Sequence, residues 1–167
     1  MRTASPGHLK TFDYVGFQRY FLTFCTRDRE RMFVRREPVD LVRAQILRAA
    51  DNEQFAIVVD CFMPDHVHLL AEGVTETADG LRFIARAKQF SGFYYSKQFG
   101  KPLWQRYGYE HALRTDEDSL GVAKYILENP VRAGLVRSPQ DYEFSSSPRY
   151  TVEDVLDAVS WRRARSG

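Results

Sequence analysis

Residues 19–26 read Arg-Tyr-Phe-Leu-Thr-Phe-Cys-Thr, and so dense a run of aromatic and β-branched side chains predicts a strand. The period then changes. Pro38 suits a first helical turn, and Val42, Ile46, Ala49 and Ala50 recur at helical spacing up to Asn52, which predicts a first helix. Residues 54–63 and 66–72 are again strand-like, and Pro64-Asp65 between them leaves room only for a tight turn, so the two strands form a hairpin. A second helix is predicted over 81–98, with Leu81, Ile84, Ala85, Phe93 and Tyr94 as its apolar stripe. Gly100 and Pro102 end it, and the aromatic alternation of 103–114 predicts a fourth strand. Thr115 and Asp118 form a capping pattern that opens a third helix running to Glu128. On that helix Leu120, Val122, Ala123, Ile126 and Leu127 make one stripe, with Tyr125 and Asn129 a turn apart on its flank. Pro130 is expected to disrupt it, and Gly134 ahead of Leu135-Val136 looks like a stop signal.

The order strand, helix, strand, strand, helix, strand, helix is the ferredoxin-like β-α-β-β-α-β pattern of an α+β domain, an antiparallel sheet with helices on one face and an added C-terminal helix. It divides the chain into an irregular arm, residues 1–18, a domain over 19–150, and a closing helix with a basic tail over 151–167. A strand alternates its side chains between faces, so Val67 and Leu69 meet the helices while His66 and His68 look out on an open face.

Composition changes this picture little. A chain of 167 residues, 44% hydrophobic, supports one substantial core. No apolar run is long enough to span a bilayer and the polar N-terminal stretch lacks a signal-peptide core, so a cytoplasmic protein with no membrane partner is expected. Cys25 and Cys61 fall in apolar strands at no metal-ligand spacing and read as buried free thiols. Net charge is only +2, but the basic side chains are mostly arginine, whose planar fork matches phosphate.

Candidate chemistry centres on His66 and His68. On one strand face their rings can tilt toward a common divalent ion or phosphate, or they can simply line a solvated surface. Arg82, Arg86 and Gln89 lie at helical spacing, either as a phosphate-contacting row or as a solvated face. Trp104, Tyr107 and Tyr109 are candidates for stacking on bases or for packing in the core. Arg106 and Arg132 are further candidate DNA contacts, and His111 a candidate helper in proton transfer.

Three stretches together carry a resemblance: Met63-Pro64-Asp65-His66-Val67-His68-Leu69-Leu70, Leu103-Trp104-Gln105, and Tyr125-Ile126-Leu127-Glu128-Asn129-Pro130-Val131-Arg132-Ala133-Gly134-Leu135-Val136. The combination resembles the IS200-like (Y1) transposases of the HUH superfamily, and within them the REP-associated tyrosine transposase branch. The resemblance implies that Tyr125 is a catalytic nucleophile and that His66, His68 and Asn129 hold a divalent metal, Mg²⁺ or Mn²⁺. Related enzymes place Gln at the third ligand, whereas Asn matches the REP-associated branch. The implied activity is nicking and strand transfer on single-stranded or hairpin DNA, through a 5′-phosphotyrosine, by a monomer or homodimer. The rival expectation is a ferredoxin-like nucleic-acid-binding module that has lost catalysis.

Overall fold

The computed structural model describes residues 14–107, 109–113 (backbone only), 119–148 and 151–157. Its elements run β1 (Arg19–Cys25), α1 (Arg36–Asn52), β2 (Phe55–Met63), β3 (His66–Gly73), α2 (Gly80–Phe99), β4 (Tyr109–Leu113), α3 (Ser119–Arg132) and β5 (Ser145–Ser146). The sheet order is β4-β1-β3-β2-β5, with every paired neighbour antiparallel. The first four strands have the ferredoxin-like order expected from the sequence, extended at the β2 edge by the short β5. Among the described residues no helix is long and apolar enough to cross a membrane.

Alternation along the strands sorts the side chains into two cores. On one face Tyr20, Leu22 and Phe24 of β1 and Val67, Leu69 and Ala71 of β3 pack against Val42 and Ile46 of α1 and Phe83 and Ala87 of α2. On the other face Val59, Cys61, Met63 and Leu70 pack against Ala123, Ile126 and Leu127 of α3 and against Val155 in the helical segment 152–157. The β2 register shifts between Ile57 and Val59, and this bulge turns Val59 toward α3. The face expected to be open is therefore partly roofed by the added helix, because that helix has an apolar stripe of its own to bury.

Several local expectations are corrected. The fourth strand is confined to Tyr109–Leu113, and Trp104 pairs through an isolated bridge to Thr26, just past the end of β1. The buried stripe of α2 is Gly80, Phe83, Ala87, Ser91 and Tyr95, while Phe93 is exposed. Small and hydroxylated residues mark that face, and a count of large apolar positions passes over them. Pro130 sits inside α3 without ending it: its ring is buried, and the missing N–H deprives a single carbonyl, that of Ile126, of its helical donor. Gly134 ends the helix at φ 75°, with Gly134 N–H donating to Val131 and Leu135 N–H to Pro130. These two bonds form a Schellman cap. Residues 14–18 are tied to the domain, with Gly16 N–H donating to Ala78 and Gly73 N–H to Gln18. The first thirteen residues, the pair Thr115 and Asp118, and the basic tail Arg162, Arg163 and Arg165 lie outside the described residues.

One buried ion pair fastens α1 to the β2 edge. Asp60 is 1% exposed and accepts from Arg43 Nε and Nη2, at 3.2 and 2.8 Å, and from Ser146 Oγ at 2.6 Å. Arg43 also donates to the Phe144 carbonyl. Burial pushes the Asp60 carboxyl up, against the opposing pull of Arg43. Such a pair adds little net stability, yet removing one partner strands the other charge. Asp60→Ala should therefore lower unfolding stability by about 3–5 kcal/mol, checked by urea denaturation.

Candidate active site

His66 opens β3, and the period-2 pattern puts its ring and that of His68 on the α3 side of the sheet. Their Nε2 atoms approach to 3.2 Å. Two ligand nitrogens about 2.1 Å from one ion, at angles of roughly 90–110°, lie about 3.0–3.4 Å apart, so the pair fits a single divalent ion. Each outer nitrogen has its own partner: His66 Nδ1 lies 2.7 Å from Asp65 Oδ1, and His68 Nδ1 lies 2.8 Å from Thr23 Oγ1. Asp65 in turn accepts from Arg29 Nε at 2.9 Å.

His68 is 9% exposed, a correction to the open-face expectation. Burial above all, with the positive surroundings of His66, Arg132 and Arg29, lowers its pKa to about 3. It stays neutral at ordinary pH, the form a metal ligand needs. Among the described residues no three His, Cys, Asp or Glu side chains converge as a metal site. The remaining expected ligand, Asn129, is an amide. Asn129 is half-buried one turn beyond Tyr125 on α3, the helix that packs on β2 and β3.

Tyr125 is 51% exposed on the flank of α3. Its ring meets Phe21 edge-on at 6.0 Å, and Phe21 lies 5.4 Å from the His68 ring, so one phenyl group separates the phenol from the paired imidazoles. Arg132 places its guanidinium 4.0 Å from the Tyr125 ring centroid and donates to the Tyr125 carbonyl at 2.6 Å. That clamp holds the ring from about two turns further along the same helix. Phe21, Gly121, Val122 and Tyr125 line an open depression of about 380 Å³ beside the phenol.

Arg82, Arg86 and Trp104 do not join this site. Arg82 and Arg86 pair with Glu53 on the α1–α2 side of the sheet, opposite the histidines. Trp104 donates its indole N–H to the buried Ser91 and packs on Phe24 and Phe33, so core packing occupies the ring proposed for base stacking. Arg106 is exposed over the Tyr107 ring. His111 stands opposite Phe21 in the β1–β4 ladder, and its side chain lies outside the described residues, as does that of Tyr109. The sequence reading missed Thr23, Arg29 and Phe21, which reach the site only through the β1–β3 register and a turn. For Asp65 its place next to His66 was a usable signal.

The family model described as "Transposase IS200 like" matches residues 16–129, a span that takes in the histidine pair, Tyr125 and Asn129. The chain belongs to the IS200-like transposases. A relative from Haemophilus influenzae, named as a REP-associated tyrosine transposase, is 30% identical over 155 residues, covering 86% of this chain and 87% of its own. The Escherichia coli REP-associated tyrosine transposase is 28% identical over 151 residues, covering 89% and 87%. Among solved structures, a REP-associated tyrosine transposase bound to a REP hairpin has a TM-score of 0.68 over 80% of this chain and 79% of that one. A transposase from Deinococcus radiodurans has a TM-score of 0.51 over 73% and 97%. Both structures are 24% identical and speak for the shared fold.

In this IS200-like transposase the lowered pKa of His68 has a stability consequence. The unfolded chain takes up the proton near 6.5, whereas the folded chain resists it to about 3. The stability is intact above the unfolded value and falls as pH drops below it. Between pH 7 and pH 5 the loss amounts to at most about 2 kcal/mol. His68→Gln should remove that part of the acid sensitivity, read as a smaller difference between urea unfolding curves recorded at the two pH values with chelator present.

Proposed function

We propose that this chain nicks and rejoins single-stranded, hairpin-containing DNA through a 5′-phosphotyrosine at Tyr125. One observation carries the reading: a half-exposed phenol on α3 shares a sheet face with two imidazoles whose Nε2 atoms converge, with one ring between them. The names of the relatives, and the hairpin bound in the solved structure of one REP-associated tyrosine transposase, support the choice of partner.

His66, His68 and Asn129 would hold one divalent ion, Mg²⁺ or Mn²⁺, whose chemistry there is to polarise a phosphodiester and offset charge on its oxygens. Tyr125 Oη forms a bond to phosphorus while the bond from phosphorus to the 3′ oxygen breaks. The phenolic proton passes to solvent or a base, and the departing oxygen leaves as a 3′-OH. Because the ester is conserved on the tyrosine, a second 3′-OH can reverse the step without an external energy source. Arg132 holds the phenol ring and adds a positive charge where a phosphate approaches.

With Mn²⁺ and a hairpin oligonucleotide carrying its cognate flanks, a substrate labelled on the 3′ side of the cut should give a denaturant-resistant protein adduct. Peptide mapping should place it on Tyr125. Tyr125→Phe should abolish the adduct and leave folding and hairpin affinity nearly unchanged. The same adduct in the Phe variant, or an adduct mapped to another tyrosine, would refute the assignment. If wild type binds the hairpin tightly and never forms an adduct on it, the non-catalytic binding module is the better reading.

The partner assignment has its own check. Hairpin DNA with single-stranded flanks should bind more tightly than duplex of the same composition, and the affinity should fall steeply as salt rises, since arginine–phosphate contacts release counterions. Fluorescence anisotropy over a salt series measures both. Equal affinity for duplex and hairpin at every salt concentration would contradict it.

A further inference from the structure

We propose that Asp65 and Thr23 are positioning residues that set the tautomers of His66 and His68 and so aim both Nε2 atoms at one point, with Arg29 holding Asp65 in place. The inference rests on the reading of the histidine pair as a metal site.

The proton arrangement follows from the partners. Asp65 Oδ1 lies 2.7 Å from His66 Nδ1. Asp65 Oδ2 also accepts from Arg29 Nε, a permanent cation, at 2.9 Å, as an ionised carboxylate does. An ionised carboxylate only accepts, so His66 Nδ1 must carry the proton and its Nε2 must carry the lone pair. The opposite nitrogen, His68 Nε2, is 3.2 Å away. That spacing suits two lone pairs directed at a shared cation.

For both Nε2 atoms to be ligands, His68 must carry its proton on Nδ1, where the Thr23 hydroxyl oxygen can accept it. Asp65 and Thr23 thus each hold one ring in the tautomer that leaves its Nε2 lone pair facing the other's.

The anchor of Asp65 comes from a strained turn. In the 3-10 turn Arg27–Arg29, Asp28 and Arg29 both have left-handed backbones, at φ 54° and 55°. Consecutive non-glycine residues in that region are unfavourable and persist where the surroundings hold them. What the turn achieves is visible: Arg29 Nε reaches Asp65 Oδ2 at 2.9 Å and its Nη1 reaches Cys25 Sγ at 3.1 Å.

The test combines Mn²⁺ titration calorimetry with ¹⁵N imidazole NMR, using Zn²⁺ as the diamagnetic probe. Asp65→Asn should weaken Mn²⁺ binding about 10- to 100-fold, the range for a lost partner of a ligating histidine, and should mix the His66 tautomers in the metal-free protein. Arg29→Gln should give a smaller loss in the same direction. Thr23→Val should weaken binding, and Thr23→Ser should restore it. In wild type with Zn²⁺ bound, His66 and His68 should both read as the Nδ1–H form. If wild type binds and Asp65→Asn binds equally with an unchanged His66 spectrum, this inference fails while the metal reading stands. If wild type shows no Mn²⁺ binding and no Zn²⁺-dependent imidazole shift, both fail together.

Discussion

The antiparallel register of β3 against β1 is the constraint on which the rest depends. It pairs Thr23 with His68, Cys25 with His66 and Phe21 with Leu70. A slip of one residue would send both imidazoles into the α1–α2 core and turn Val67 and Leu69, each fully buried, toward α3. At about 1.5–3 kcal/mol for each buried branched side chain, and with two unsatisfied rings to desolvate, the native register has no close competitor. The hydrophobic effect on one face thereby fixes the chemistry on the other. The Pro64-Asp65 turn adds a second function to the same geometry, because the residue that closes the hairpin is also the one hydrogen-bonded to His66.

The α3 face is divided between sealing and access. Ala123, Ile126 and Leu127 close one side against Val59, Cys61 and Met63, and Tyr125 stands out on the flank beside an open depression. Helical periodicity enforces the division: a residue between two buried positions, a third of a turn off the stripe, can keep its ring on Phe21 and its hydroxyl toward solvent. Burial of His68 under this roof also makes it a neutral ligand, so packing and pKa have one cause.

What the sequence made legible follows from which signals are local. The β2–β3 hairpin, α1 with its stripe of Val42, Ile46, Ala49 and Ala50, and the flank position of Tyr125 and Asn129 all depend on neighbours within a few residues. The stripe of α2 was misread because Ser91 fills a core position by donating to the Ala87 carbonyl and accepting from Trp104, which polarity alone argues against. Trp104 could have served base stacking or core packing, and only the fold decides for the core by giving its indole a buried partner. Thr23 and Arg29 were invisible for a related reason. One is 45 residues from its histidine, and the other depends on a left-handed turn that a charged run does not announce.

The electrostatics of the site tie these observations together. Arg132 and Arg29 both act to keep His68 unprotonated, since a cation near an imidazole disfavours the imidazolium. The same two charges favour an anion. A divalent ion between His66 and His68 would add to that positive field, and no carboxylate joins the pair as a ligand in the described residues, because Asp65 is spent on Arg29 and the outer nitrogen of His66. Imidazole and amide ligands are neutral, so a metal held by His66, His68 and Asn129 would keep its full charge. On the function proposed above a phosphodiester would balance it, and the flank on which Tyr125 stands is the direction from which a strand could bring one. On that proposal charge balance and nucleophile position would be served by the same substrate group, which neither the histidine pair nor the tyrosine would specify alone.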